Sequence, residues 1–168
     1  MTAMQQPRTN SRRRDNTPQQ PKERPEFEEV VVQIDRVTRV VKGGRRLRFR
    51  ALVVVGDRKG RVGAGVAKGQ EVQTAVQKAT LAAKKSLIKV PVTENGSIPH
   101  EVSFRYGASQ VLLMPAAQGT SVIAGGAVRS VVSLAGIENV LSKSLGSSNK
   151  MNVVKATLAA LKSFKEVK

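Results

Sequence analysis

The sequence predicts an α+β protein in which a three-stranded antiparallel sheet plus a helix precedes a small two-layer α/β domain. Apolar residues alternate with a period of two in short segments between residues 27 and 67, as in strands with one buried face. Later segments repeat apolar residues every three or four positions, as in amphipathic helices. Pro91 and the stretch 93–96 separate the two units. Each unit has only about 70 residues, near the lower limit for a self-sufficient core, so we expect them to pack on each other.

Three strands and one helix are predicted for the first unit. Alternation begins after Phe27, and a change of phase predicts a bulge near Asp35. Glycines predict tight turns at 42–44 and at 56–60. The predicted strands lie at 27–41, 45–55 and 61–67, and the helix at 71–88. The apolar stripe expected on that helix comprises Val72, Val76, Ala79, Ala83 and Leu87.

The second unit is predicted to start with a hairpin around Gly107-Ala108. A glycine-rich stretch, 115–136, is predicted to form a loop that leads into a helix. The residues Gly146-Ser147-Ser148-Asn149 provide capping groups for a last helix. The predicted strands lie at 100–106, 110–114 and 139–145.

Residues 1–25 are rich in Pro, Gln and Arg and lack the apolar residues of a core. We predict that they form a disordered basic tail. An organellar transit peptide is the alternative, but the segment has no amphipathic helical periodicity. The predicted organisation is a tail at 1–25 and domains at 26–91 and 97–168.

Composition indicates a polyanionic partner. The net charge is +17 and the isoelectric point about 11.2, so nucleic acid is the first candidate and an anionic membrane surface the second. No apolar run approaches the roughly 20 residues of a membrane span. The absence of cysteine excludes disulfides and thiolate chemistry. Aromatic residues are scarce, which favours a structured or double-stranded nucleic acid contacted through its backbone over a stacked single strand.

The stretch VKGGRRLRFR (41–50) concentrates this charge. In a strand, Arg46, Arg48 and Arg50 share one face, and the other face, from Leu47 to Val55, resembles a core face. The window 35–69 holds eleven cationic residues and two carboxylates. A solvated surface is the alternative, but arginine forks match phosphate oxygens. The residues predicted to contact nucleic acid are Lys42, Gly43, Gly44, Arg45, Arg46, Arg48, Arg50, Arg58, Lys59, Arg61 and Lys68.

The stretch GTSVIAGGAVR (119–129) precedes a helix and fits an anion site at the helix N-terminus. An equally good interpretation is that the glycines of this stretch allow tight helix packing or a contact with another subunit. The glycines of 55–69 match no phosphate-loop pattern and indicate turns and close backbone approach. His100 is the only histidine and no carboxylate pair suggests acid–base chemistry, so we predict no enzyme, cofactor, metal site or small-molecule substrate.

Two long runs, TRVVKGGRRLRFRALVVVGDRKGRVGAGVAKGQEV (38–72) and PAAQGTSVIAGGAVRSVVSLAGIENVLSKSLGSSNKMNVVKATLAAL (115–161), closely resemble the bacterial-type small-subunit ribosomal protein five family. The likeness extends from about Phe27 to the C-terminus. The motifs KGGR, VVGD, IPHE, IAGGAVR and GSSN occur in one order. This combination is highly specific.

The resemblance implies a fold like a double-stranded-RNA-binding domain for the first unit, and for the second an α/β domain also seen in some kinases and an elongation factor. It implies a structural role in the small ribosomal subunit, in the cytoplasm, with contacts to 16S-type ribosomal RNA. Small-subunit proteins four and eight, and messenger RNA where it enters the subunit, are the other implied partners. It also implies roles in subunit assembly and decoding accuracy.

The resemblance further assigns individual segments. The turn from Lys42 to Arg46 is implied to reach the neck between the head and body of the subunit. The surface formed by Gly119, Thr120, Ser121 and Arg129 is implied to contact protein four. Ala67 and Ser121 stand where the family usually has glycine, and Val66 where many members have an aromatic residue. A free double-stranded-RNA-binding protein is the alternative function, and the separate motif set of the second unit argues against it.

Overall fold

The computed structural model describes residues 26–164. The tail predicted at 1–25 lies outside the described residues, as do residues 165–168. The predicted α+β class is confirmed, with one antiparallel sheet and helix in the first unit and a sheet with two helices in the second.

The first sheet has four strands in the order β1-β2-β3-β4, all antiparallel. Its elements are β1 (Glu28–Val41), β2 (Gly44–Gly56), β3 (Arg61–Gly69), α1 (Val72–Lys85) and β4 (Ile88–Lys89). The sequence did not predict β4, and α1 ends earlier than expected because Ile88 pairs with Val62. The bulge in β1 is real but lies between Val31 and Gln33, before the predicted position.

Helix α1 packs closely on β3. A Cβ atom built on Gly65 would lie 2.2 Å from the Ala79 carbonyl oxygen, and one on Gly63 would lie 2.6 Å from that of Ala83. Only glycine permits this approach, so the prediction of close backbone contact is confirmed. The buried stripe of α1 contains the predicted Ala79 and Ala83 together with Ala75, which was not predicted. The predicted Val72 and Val76 are only half-buried, and Leu87 lies beyond the end of the helix.

The second sheet has the order β5-β6-β8-β7, with β7 parallel to its neighbour β8 and the other pairs antiparallel. The elements are β5 (Val102–Tyr106), β6 (Ser109–Pro115), β7 (Val122–Ile123), α2 (Gly126–Ala135), β8 (Val140–Gly146) and α3 (Lys150–Ser163). The predicted cap is present, because the Asn149 side chain accepts a hydrogen bond from the Met151 N–H at 3.2 Å. The two-residue strand β7 was not predicted.

The two units share one core, as expected from their size. Leu52 and Val54 of β2 belong to the same buried cluster as Val131 and Leu134 of α2. The turn between β2 and β3 also donates hydrogen bonds to the last carbonyls of α2: Arg58 N–H to Leu134 O and Gly60 N–H to Ala135 O, each at 3.0 Å. These bonds satisfy acceptors that a helix C-terminus leaves open.

Burial along β2 differs from the sequence prediction. Leu47, expected on the core face, has half its surface exposed, because α1 and β3 do not extend that far along the strand. Conversely, Leu52 lies on the face of Arg46, Arg48 and Arg50 and is only 4% exposed, because the second unit covers that face. The basic face therefore ends at Arg50.

The two leucines of β2 form a matched pair for mutagenesis. We expect Leu52→Ala to lower the free energy of unfolding by roughly 2–5 kcal/mol, because it opens a cavity between the units. Leu47→Ala should change it by less than about 1 kcal/mol, because the side chain is already half in solvent. Urea denaturation of the two variants measures both values. Equal losses would show that Leu47 is a core residue after all.

Candidate nucleic-acid interface

The ends of β1 and β2 project from the body of the protein. Strand β3 pairs with β2 only from Phe49 onward, so residues 36–48 form a two-stranded ribbon, here called the basic arm. All of its residues except the half-buried Val37 are exposed, and Val40 is 74% exposed. Both faces of the arm are open to a partner.

The basic arm carries six cationic side chains and no carboxylate. None of the six forms an ion pair with any other residue in the described range 26–164. Arg39 and Arg46 pair across the ribbon, and like charges in opposed positions destabilise a sheet. An anion placed along the ribbon would remove this repulsion. The cations are Arg36, Arg39, Lys42, Arg45, Arg46 and Arg48.

Arg50 lies on the same face but is already neutralised. Its Nη2 and Nε donate hydrogen bonds to Asp35 Oδ2 at 2.7 and 3.1 Å. Gln33 Nε2 donates to Asp35 Oδ1 at 2.7 Å. The Arg50 hydrogen bond, followed by that of Gln33, lowers the pKa of Asp35 below its usual value of 3.8 despite the opposing effect of burial. Arg50 thus marks the base of the arm.

The ion pair at the base of the arm should make the free energy of unfolding depend on pH under acidic conditions. Because the pKa of Asp35 is lower in the folded than in the unfolded chain, Asp35 stabilises the fold above pH 3.8. That contribution is lost as the pH falls through the folded-state pKa. We expect Asp35→Asn to be less stable than the wild type at neutral pH and equally stable once the pH is below the folded-state pKa of Asp35. Urea denaturation midpoints of the wild type and the variant, measured from neutral to acidic pH, test this prediction. Glu94→Gln is the control, and a difference in stability that does not change with pH would contradict the prediction.

A second predicted group lies at the opposite end of β2, roughly 30–40 Å from the turn of the arm at about 3.3 Å per residue. Arg58 pairs with Glu28 at 2.7 Å. Arg61 pairs with Asp57 at 2.6 Å and with Glu26 at 3.0 Å. Lys59 is the one cation of this turn with no ion pair to a described residue. The structure therefore does not bring Arg58, Lys59 and Arg61 together with the arm.

Asp57 organises this second turn. It accepts hydrogen bonds from the backbone N–H groups of Lys59 and Arg61, at 2.8 and 3.0 Å, and from Arg61 Nε. Burial raises the pKa of Asp57, but the hydrogen bonds of Arg61 and Lys59 outweigh it, and the pKa lies below its usual value. The arrangement indicates a structural role for Arg61.

Lys68 joins the arm from β3. It lies opposite Arg50 in the strand register, and it lines a concave surface together with Arg48 and the first turns of α1. Lys78 of α1 lines the same surface, although the sequence analysis did not select it. Its position on the face of α1 opposite the apolar stripe was the available signal. The basic surface thus continues from the arm onto the helix.

The predicted protein-contact segment is a surface loop that is held in place by hydrogen bonds to a buried side chain. The buried Asn139 accepts hydrogen bonds at Oδ1 from the N–H groups of Gly119 and Ser121, at 3.1 and 3.2 Å. Ser121 has a φ of 67°, the left-handed region in which glycine is favoured. Sequence reasoning missed Asn139, because its role depends on contacts distant along the chain.

The glycines of this segment do not serve packing within the chain. Cβ atoms built on Gly119, Gly125 and Gly126 would meet nothing within 4 Å. Arg129 is exposed on the first turns of α2, as its position off the apolar stripe predicted. Thr120, in the loop, is half-buried. These observations favour a contact with another molecule over internal helix packing.

Among residues 26–164, no three His, Cys, Asp or Glu side chains are grouped as metal ligands, and no helix is long and apolar enough to cross a membrane. The ring of His100 meets that of Phe164 edge-on with centroids 5.1 Å apart, which indicates a structural role for His100.

The fold is that of two packed α+β units, the first of which carries the basic arm. Family comparison agrees with this class. The model described as "Ribosomal protein S5, N-terminal domain" matches residues 27–91, and "Ribosomal protein S5, C-terminal domain" matches residues 104–168. Together they match more than three quarters of the chain, which therefore belongs to the ribosomal protein S5 family.

One curated relative is "Small ribosomal subunit protein uS5c" of Spinacia oleracea. It is 55% identical over 140 residues, which correspond to 83% of this chain and 46% of the relative. The chain thus spans about half the length of this relative.

Proposed function

We propose that this protein is a structural constituent of the small ribosomal subunit that binds 16S-type ribosomal RNA. The observation that carries the proposal is the basic arm, with six cations, no carboxylate and two open faces, in a chain that belongs to the ribosomal protein S5 family. The family is structural, and the proposal assigns no catalysis. The site of action is the small subunit in the cytoplasm.

The arm binds RNA through its phosphates. Lys42, Arg45 and Arg46 extend from the turn, and Gly44, with a φ of 132°, gives the turn a shape that other residues resist. Arg48 and Lys68 continue the contact toward the base. Phe49, half-buried against the sheet and α1, anchors the ribbon to the body. Phosphate contacts of this kind position the protein without selecting a base sequence.

Lys59 adds a separate, weaker contact at the far turn. Arg50, Arg58 and Arg61 take part mainly by holding the sheet, because their charges are matched by carboxylates. This division refines the eleven-residue set predicted from sequence: the unpaired cations bind RNA and the paired ones shape the surface.

The loop 119–129 forms the contact with a neighbouring protein. By family resemblance, small-subunit protein four meets this loop, and protein eight and the messenger RNA where it enters the subunit lie nearby. The open glycines support this assignment, because a partner can approach the backbone there closely. Through these contacts the protein supports subunit assembly and decoding accuracy.

Co-sedimentation tests the function. A tagged chain expressed in bacteria should sediment with small subunits after washing in high salt, because a subunit constituent is held by protein and RNA contacts together. A free double-stranded-RNA-binding protein would be released, since phosphate contacts weaken steeply as salt rises. Complete release would therefore favour that alternative.

Arg129→Glu tests the protein contact. Because Arg129 is exposed and lies off the buried stripe of α2, we expect the free variant to unfold at the same temperature as the wild type. Its incorporation into small subunits should fall about tenfold or more, since a reversed charge in a contact costs several kcal/mol. Quantitative mass spectrometry of purified subunits measures this, with Lys162→Glu as the control. An unfolded variant would make Arg129 a structural residue instead.

A further inference from the structure

The buried side chain of Asn139 lies where three segments of the chain meet. It is 4% exposed and sits between the loop 119–129, the start of β8 and the segment 93–97 that connects the two units. Its Nδ2 donates a hydrogen bond to the Asn95 carbonyl oxygen at 3.0 Å. Its backbone N–H donates to the Gly96 carbonyl oxygen, also at 3.0 Å. Asn139 therefore ties the loop to the segment between the units.

The Oδ1 atom of Asn139 is fully used as an acceptor. An amide oxygen has two lone pairs, and here they accept the N–H groups of Gly119 and Ser121. The N–H of Thr120, between these two, donates to the Ala117 carbonyl oxygen at 3.1 Å. Three consecutive N–H groups of the loop are thus bonded within the chain. A partner meets this part of the loop at its carbonyl oxygens and small side chains, whose positions depend on Asn139.

The backbone around Asn139 Oδ1 is held in an unusual shape. Gly119 has a φ of 90° and Ser121 a φ of 67°, and the left-handed region is unfavourable for serine. The Ser121 carbonyl oxygen also accepts the Val140 N–H at 3.4 Å, so Ser121 is bonded through both its N–H and its C=O. Strained residues persist only where their surroundings hold them, and they concentrate at functional sites. Here Asn139 supplies the bond to the N–H group.

We propose that Asn139 is a positioning residue, which holds the N–H groups of Gly119 and Ser121 and so fixes the loop 119–129 in the shape that a neighbouring protein binds. This inference rests on the proposed function, because that function takes the loop as a protein contact. The competing explanation is that Asn139 serves only the stability of the fold. The two explanations differ in what happens to the loop, and to binding, when stability is lost elsewhere in the same unit.

Amide hydrogen exchange in the free chain tests the positioning role directly. In Asn139→Ala, the amides of Gly119 and Ser121 lose their acceptor, so we expect both to exchange at least about tenfold faster than in the wild type. Asn139→Asp keeps an oxygen acceptor for both amides and loses only the donor to Asn95. Its two loop amides should therefore exchange at the wild-type rate, as measured by NMR.

Ser109→Ala is the matched control. Ser109 is a buried polar residue of the same unit, and its Oγ donates to the Ser147 carbonyl oxygen at 2.8 Å. Removing this hydroxyl leaves a carbonyl without its donor and lowers stability, but it does not touch the loop. Exchange of the two loop amides should stay at the wild-type rate in this variant.

Retention in small subunits provides the second readout. After a high-salt wash, Asn139→Ala should be retained about tenfold less than the wild type, because a loop that is not held must be ordered on binding. Asn139→Asp should be retained within about twofold of the wild type, as should Ser109→Ala. Quantitative mass spectrometry of the purified subunits measures all three at a temperature where each variant is folded. Should Asn139→Ala not fold, Asn139→Ser, which has a shorter polar side chain, replaces it in both measurements.

The outcomes separate this inference from the proposed function. If the wild-type chain is not retained in small subunits, the proposed function fails and this inference fails with it. If the chain is retained but the loop amides of Asn139→Ala exchange at the wild-type rate, only this inference is overturned. Faster exchange without a loss of retention, or an equal loss of retention in Ser109→Ala, would also overturn it, because Asn139 would then serve the fold alone.

Discussion

Gly136→Ala should destabilise the protein more than any other single methyl addition in the junction between the units. Gly136 ends α2 with a φ of 85°, and a Cβ atom there would lie 2.2 Å from the Arg58 carbonyl oxygen. The left-handed backbone costs a non-glycine residue about 1–3 kcal/mol. The steric overlap, which falls on backbone and cannot be relieved by a rotamer change, adds typically about 1–3 kcal/mol. We therefore expect a loss of about 2–6 kcal/mol in the free energy of unfolding.

Gly126→Ala is the matched control, in the same helix. Its Cβ would meet nothing within 4 Å, and alanine favours the helix over glycine, so we expect no loss of stability. Calorimetry of both variants gives the comparison, with both units expected to unfold together because they share a core. If Gly136→Ala unfolds at the wild-type temperature, the turn 57–60 is not packed against α2 as described.

The double variant Arg46→Ala/Arg48→Ala should lower the affinity for ribosomal RNA on the order of 100-fold at moderate salt. Both side chains are exposed and neither forms an ion pair with a described residue, so each is available for one phosphate. Each lost contact should also reduce the slope of log affinity against log salt by about 1. Thermal stability should stay unchanged or rise slightly, because removing the arginines relieves repulsion within the arm.

Arg61→Ala is the control for this pair. Because Arg61 is held by Asp57 and Glu26, its loss should alter the salt slope little and should lower stability instead. Filter binding to a 16S fragment at several salt concentrations measures the slopes. An unchanged slope in the double variant would mean that Arg46 and Arg48 do not contact phosphate.

Much of the fold was predictable because it depends on local signals. The pair Gly43-Gly44 predicted the turn at 42–44. Period-two alternation predicted which side chains share a face, so Arg46, Arg48 and Arg50 were assigned correctly to one face. The cap at Asn149 and the exposure of Arg129 follow from short-range patterns in the same way. These features need no knowledge of distant residues.

The features that were missed depend on tertiary contacts. Strands β4 and β7 have two residues each and form only because β3 and β8 offer an edge. Leu47 has the spacing of a core residue, but β3 pairs with β2 only from Phe49 onward and leaves Leu47 uncovered. Likewise, the pairing of Arg50 with Asp35, fifteen residues away, decides which cations remain available for RNA. Charge counting along the sequence cannot make that distinction.

The most direct test of the RNA-binding role is to map what the arm touches inside an assembled subunit. Gly43 is the best attachment point, because its φ is not positive and a side chain there meets nothing within 4 Å. A Gly43→Cys chain carrying a tethered iron chelate, incorporated into small subunits, should cleave the 16S-type RNA backbone at a few clustered positions. The same chelate at Lys162→Cys should give a different pattern. Absence of RNA cleavage from position 43 would contradict the assignment of the basic arm as the RNA-binding element.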